Sequence, residues 1–427
     1  MSNTADLIKT IEEGAFDNKF LDIYCDEKAV LIQRKRYIEA LEKFVNLFNT
    51  EDVNIFSAPG RSEVMGNHTD HQHGEVLAAG INLDAIAVVS KTEGKLIRLV
   101  SGNNPMMKVD CDSQGKQKSK KESSEALIEG VCRYFTDKGY EVGGFDAYVT
   151  SDVLIGAGLS SSAAFETLIG TVISYLYNEG KISETETAIA GQYAENVYFG
   201  KPCGLMDQMA CSMGNLVHID FADSLNPVCE KIMFDLSDKG YSLCITDTKG
   251  SHADLTDEYA AIPTEMKEVA SFFKKEYLLG VTMDELISNA SEIRKYFSDR
   301  ALLRAIHFIN ENDRVKKGVE ALKNDDTHEF LRLVRESGRS SFEYLQNVYS
   351  VKDVLHQNLS LALALSDSIL DKETEAFRVH GGGFAGTIQA FVRNENVEAY
   401  KAKLDSVFGE DSCHILKIRK YGGIQIV

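Results

Sequence analysis

The chain has 427 residues, 44% of them apolar and 26% charged, a composition that supports folded globular structure over disorder. Its formal charge of −19, with no long basic run, argues against a surface that neutralises nucleic-acid phosphates. No apolar stretch reaches the roughly 18 residues of a membrane span, and MSNTADLIKTIEEG lacks the basic and apolar regions of a secretory leader, so a cytoplasmic protein with no membrane or nucleic-acid partner is expected.

Residues 5–49 carry apolar side chains at helical spacing in TADLIKTIEEG and YIEALEKFVNLF, which predicts a helical N-terminal extension over residues 1–50. From Val53 the period changes. VNIFSAP predicts a strand running into a turn, and DAIAVVSKTEGKLIRLVS two strands around an EGK turn. FDAYVTSDV is another alternating strand; IGAGLSSSAA follows, then FETLIGTVISYLY, a buried helix. A second helix near 184–199 precedes KPCGLMDQMACSMG, and NLVHIDFAD returns to strand. Beyond residue 226, GYSLCITDT predicts strand, the chain is strongly helical to 370, and GTIQAFV, a helix near 396–408, CHILKIRK and GGIQIV close it. Strands and helices alternate in both halves, so the class is α+β in two lobes, residues 51–225 and 226–427. With five prolines and no low-complexity linker, the lobes should pack around a ligand cleft. Eight scattered cysteines without a CxxC pair read as reduced thiols.

Two stretches carry chemistry. GAGLSSSAA lies between a strand and a helix, where glycines permit close backbone approach and successive N–H groups form an anion nest. Alone it reads equally as a serine-capped helix start, and it lacks the GKS or GKT ending of a Walker A loop. GRSEVMGNHTDHQHG holds His68, His71, His73 and Asp70 among turn formers. It could hold zinc, but no strong local zinc spacing or cysteine pair supports that; a sugar-hydroxyl site and a solvated loop are the other readings.

In combination the motifs are more specific. APGRSEVMGNHTDHQHGEVLAAGIN resembles the sugar-binding motif of galactokinases, VLIGAGLSSSAAFE the phosphate loop of the GHMP kinase superfamily, VHGGGFAGTIQAFV its glycine-rich third motif, and KPCGLMDQ the galactokinase segment with the catalytic aspartate. Their order and spacing agree from about residue 53 to 427. The resemblance implies a two-lobed GHMP kinase fold, a ribosomal-protein-S5-like N-terminal domain plus a ferredoxin-like C-terminal domain, with the active site between them. It implies that Asp207 and Arg61 are catalytic, and that Asn67, His68, Asp70, Gly204 and Tyr259 contact sugar. Gly156, Gly158, Leu159, Ser160, Ser161 and Ser162 would hold the phosphates of ATP, and Ser162 with Glu195 would hold Mg2+. The chain departs from the family where Glu63 replaces asparagine, Asn67 an acidic residue, His71 a tyrosine, Leu154 a proline and Ala385 a glycine.

Without that resemblance Asp207 would be a helix-start carboxylate, Arg61 a surface ion-pair partner and Glu195 a solvated helix residue. With it, the expected reaction is ATP-dependent phosphorylation of the anomeric hydroxyl of galactose. A carboxylate can take the hydroxyl proton, and a guanidinium can stabilise the oxyanion and hold the carboxylate ionised. In the family the acidic side chain at position 67 lies toward the C6 hydroxyl, so Asn67 also admits galacturonate or another C6 variant. A catalytically idle sugar sensor is the alternative from another class. The partners expected are a small sugar and ATP; oligomeric state is not legible.

Overall fold

The computed structural model describes residues 2–112, 119–154, 156–224, 226–250 and 255–427. Its framework is thirteen strands: β1 (Ser2–Asn3), β2 (Asp52–Met65), β3 (Glu75–Lys91), β4 (Leu96–Ser101), β5 (Met107–Asp110), β6 (Phe145–Ser151), β7 (Leu216–Asp220), β8 (Val228–Ile232), β9 (Tyr241–Asp247), β10 (Ala376–His380), β11 (Thr387–Arg393), β12 (Cys413–Leu416) and β13 (Ile424–Gln425). Nine of them form one sheet on the path β1-β2-β3-β6-β4-β5, with β13 on β2 and β7 linking β3 to β8. The other four form an antiparallel sheet in the order β10-β11-β9-β12. This is the mixed α/β two-sheet architecture that the sequence pattern implied.

Alternation along β3 explains why helices cover both faces of the larger sheet. Ile86 and Val88 join the core beneath the N-terminal helices Thr4–Glu12, Asp17–Tyr24 and Glu27–Phe48, with Phe20, Tyr37, Leu41 and Phe44. Ala85, Ala87 and Val89 point the other way, onto Leu168, Ile169, Val172 and Ile173 of the helix Ser161–Asn178. Period two on the strand thus delivers adjacent residues to two separate cores. The helices between Thr4 and Phe48 cover one of them.

A third core joins the sheets. Leu77 of the first sheet, with Leu159 and Ala163 at the start of the helix Ser161–Asn178, shares it with Leu243, Ile245 and Phe391 of the second and Phe330 of the helix Thr327–Ser340. The lobes are fused by buried apolar surface, which fixes the loops at their junction. Two details differ from the sequence pattern. The strands flanking the EGK turn do not pair with each other; β6 lies between them and β4 runs parallel to it. In addition, β8 and β13 lie beyond residue 225 yet pair within the larger sheet, so by sheet membership the chain divides between Ile232 and Tyr241 and returns at its end. Among the described residues no helix is long and apolar enough to cross a membrane.

Candidate active site

Arg61 lies on β2 between two register shifts, one between Pro59 and Arg61 and one between Glu63 and Met65. Such irregularities re-aim side chains relative to a regular strand. The guanidinium meets Asp207, in the first turn of the helix Met206–Met213, by two parallel bonds: Nε donates to Oδ1 at 2.6 Å and Nη2 to Oδ2 at 2.7 Å. Nη1 donates to the carbonyl of Gly158, and the Ser160 hydroxyl to Asp207 Oδ2. The Arg61 side chain is 9% exposed, whereas that of Asp207 keeps 32%. Burial opposes ionisation of Asp207, but the charge and hydrogen bonds of Arg61, with Ser160, hold the carboxyl below its ordinary value. The result is a permanent, oriented carboxylate with one open edge.

The same contacts build the phosphate loop. Gly156 and Gly158 have φ of +83° and +68°. A Cβ on Gly158 would stand 3.3 Å from Thr387 Oγ1 and 3.4 Å from His380 Nδ1, so the loop needs glycine to approach the third motif. Ser160 sits at φ 55° before the helix Ser161–Asn178 and does not cap it, because its hydroxyl is turned to Asp207. The first-turn N–H groups of this eighteen-residue helix therefore receive no side-chain cap. Leu159 contributes backbone only; its side chain is in the core and its carbonyl accepts from Arg61 N at 3.1 Å.

Ser162 and Glu195 are brought together, with Ser162 Oγ 3.4 Å from Glu195 Oε1. Glu195 lies in a π-helical turn, Ala194–Phe199, that interrupts the predicted helix. Gln208 Nε2 donates to Glu195 Oε2 at 2.9 Å and to Glu166 Oε2 at 3.1 Å, and Lys201 Nζ is 3.4 Å from Glu195 Oε1. Glu166 is fully buried; desolvation and the neighbouring Glu195 push its carboxyl well up. A hydroxyl and a carboxylate are the hard oxygen donors that magnesium takes together with phosphates, and the donor set fits that ion.

Along the first motif the structure separates residues that adjoin in sequence. His68 Nε2 donates to the carbonyl of Gly382 at 3.0 Å; burial and His71 lower its pKa to about 4, so it is neutral and Nδ1 is an acceptor. Asp70 faces Gly204, where a Cβ would stand 2.8 Å from Asp70 Oδ2. Tyr259 donates to the Gly383 carbonyl at 2.6 Å and packs edge-on to Phe384. His73 stacks on Tyr277 with ring centroids 3.8 Å apart, while His71 is at the surface.

Asn67, which the resemblance places at a sugar oxygen, is engaged by the protein itself. The residue is fully buried, and its amide donates to Glu63 Oε1 at 3.0 Å and to the Gly381 carbonyl at 2.7 Å. Its Oδ1 accepts from Asn347 Nδ2 at 2.7 Å and Ser341 Oγ at 3.2 Å. Two donors and two lone pairs are all engaged, leaving nothing for a ligand. Asn67 is a strut between the first and third motifs, and the departures at 63 and 67 touch each other. Sequence reasoning also missed His380, between Ser62 and Thr387, and Gln208; the HGGG turn and the residue after Asp207 were the available signals.

The galactokinase galactose-binding signature matches residues 42–91, and the GHMP kinases N-terminal domain matches residues 126–215. The chain is 32% identical over 355 residues to the galactokinase of Glaesserella parasuis, covering 81% of this chain and 86% of that protein. It is 31% identical over 373 residues to that of Actinobacillus pleuropneumoniae, covering 84% and 90%. In fold it is similar to Lactococcus lactis galactokinase complexed with galactose, with a TM-score of 0.75 at 24% identity over 90% of this chain and 98% of that one. The mevalonate kinase of Methanococcus jannaschii is more distant, at 0.58 and 16%, over 86% and 98%. This chain is therefore a member of the galactokinase family of GHMP kinases.

Proposed function

We propose that the protein transfers the γ-phosphoryl group of ATP to the anomeric hydroxyl of galactose, giving galactose 1-phosphate. The observation that carries this reading is the two-bond Arg61–Asp207 pair beside the uncapped start of the helix Ser161–Asn178. The open edge of Asp207 accepts the sugar hydroxyl, and Arg61 stabilises charge on the oxygen and the transferring group. Because Asp207 is a weak base, the proton passes late, after bonding to phosphorus has begun, as suits a loose phosphoryl-transfer path. The neutral His68 and Asp70 orient the remaining hydroxyls beside Gly204, and Tyr259 fixes the turn behind them.

The N–H groups around 156–162 receive the phosphates of ATP. Ser162 and Glu195 would hold magnesium, which supplies charge neutralisation at those phosphates, while Gln208 keeps Glu195 in place. Both substrates are small molecules, and the use of ATP suits a cytoplasmic setting. The test is phosphorus NMR of purified protein with ATP and galactose: a new sugar 1-phosphate resonance is expected. Folded protein that binds ATP yet forms no such product would overturn the proposal.

A further inference from the structure

A second hollow lies in the smaller-sheet lobe, away from the Arg61–Asp207 pair. It has a volume of about 870 Å3 and lies between the helices Thr327–Ser340 and Asn358–Ile369, over β10. Its lining joins an apolar surface, including Phe342 and Leu363, to the cations Arg332, Arg335, Arg339, Lys372 and Arg378. Arg335 donates through Nη1 to the Glu375 carbonyl at 2.8 Å and through Nη2 to the Glu373 carbonyl at 3.2 Å. Neutral carbonyls orient the guanidinium, and the Glu373 and Asp371 carboxylates act on it through their charge, in contrast to Arg332, which bonds the carboxylates of Glu329 and Glu336 directly.

Two residues of the lining carry a polar atom that is shielded from solvent and has no partner. The hydroxyl of Ser360 and Nε of the fully buried Arg378 have no hydrogen-bond partner. Buried polar atoms of this kind are normally satisfied by protein, water or ligand. The carboxylates of Glu336, Glu343, Asp367 and Glu373 also line the walls, which disfavours a ligand of high negative charge. Arg378 reaches in the other direction as well: Nη2 lies 3.2 Å from Glu63 Oε1 and Nη1 donates to the Val64 carbonyl at 2.9 Å. Glu63 in turn holds Asn67. One side chain thus touches both the hollow and the first motif.

We propose that this hollow is an effector site for a small organic monoanion with an apolar body, and that its occupancy reaches the sugar motif through Arg378, Glu63 and Asn67. The test uses 8-anilinonaphthalene-1-sulfonate as the probe, titrated into the intact protein by fluorescence, with stoichiometry from calorimetry. One saturable site is expected. Arg335→Ala should weaken it at least about tenfold by removing an oriented charged donor. Ala364→Trp, which fills the mouth from an exposed lining position, should do the same without disturbing the Arg335 contacts. Saturating probe should change KM for galactose at least about twofold in the wild type, more than kcat, and leave Ala364→Trp unaffected. Equal probe affinity in the wild type and both variants overturns the site. Normal binding with an unchanged KM overturns the coupling. The binding measurement needs no turnover, so its failure is distinct from failure of the kinase reading.

Discussion

Two arginine–aspartate sites lie near each other on the β2–β3 pair and do opposite work. Asp84 stands opposite Pro59 in the register, two residues from Arg61. Its Oδ1 accepts from Arg36 at 2.6 Å, and Oδ2 accepts from Arg419 at 2.9 Å, Tyr24 at 2.9 Å and Ser57. Asp84 and Arg419 are wholly buried, and the cluster ties the N-terminal helices and the C-terminal segment to the sheet. Asp207 has the same partner chemistry, but retains a third of its surface. In both, burial opposes the charge and arginine restores it. The difference is whether the acid has an unfilled edge: a saturated carboxylate can only hold structure, whereas an open one can also receive a substrate.

Removing each charge breaks the comparison in a different observable. Asp207→Asn should keep the fold and lower kcat by about 10²- to 10⁴-fold, since the general-base and electrostatic contributions are lost together. Near-normal turnover in a variant with unchanged thermal unfolding would remove Asp207 from the chemistry. Asp84→Asn should do the reverse. Leaving Arg419 buried without its counter-ion costs about 3–5 kcal/mol of stability, to be read by denaturant unfolding, while KM of the folded fraction stays near wild type. If Asp84→Asn instead abolishes activity at unchanged stability, the division of labour between the two sites is wrong.

That division was only half legible in the sequence. Arg61, Asp207 and Ser162 sit in motifs with a recognisable local order and Glu195 lies twelve residues before Asp207, and the fold brings Arg61 to Asp207 and Ser162 to Glu195 within hydrogen-bond reach. The helical spacing of residues 5–49 was legible, but not which sheet face those helices meet. The engagement of Asn67 was not legible because its partners Ser341, Asn347 and Gly381 lie 274, 280 and 314 residues away. Nothing local marks a side chain as consumed by such contacts. The same holds for β4 beside β6 and β13 beside β2: strand existence is a local property, and partner choice is not.

The Glu63–Asn67 contact offers a finer test. Asn67→Asp places a second carboxylate against Glu63 and loses the donor to Gly381, at a cost of about 2–4 kcal/mol. Adding Glu63→Gln exchanges the amide and acid and should recover about 1 kcal/mol or more, read as the coupling energy of a double-mutant cycle. Additive losses would mean that the two substitutions do not act as a pair.

The smallest expected effect is a slope. His380 is buried between Ser62 and Thr387, and desolvation, with the charges of Arg61 and Arg378 opposing Asp207, lowers its pKa to about 3. Its unfolded value is about 6.5, so below that pH the unfolded chain binds a proton that the folded chain refuses. Stability from this residue is complete above pH 6.5 and falls by about 1.4 kcal/mol per pH unit on acidification toward the folded value. His68 adds a term of the same sign down to about pH 4, and the raised carboxyl of Glu63 opposes both. His380→Asn, which keeps a polar side chain toward Ser62 or Thr387, should flatten the dependence of unfolding free energy on pH between 6.5 and 5 by about that amount. A slope unchanged by the substitution would mean that the imidazole takes up its proton in the folded protein. The third motif would then carry positive charge beside Arg61, and the electrostatic separation between the catalytic pair and the saturated Asp84 cluster would need a different origin.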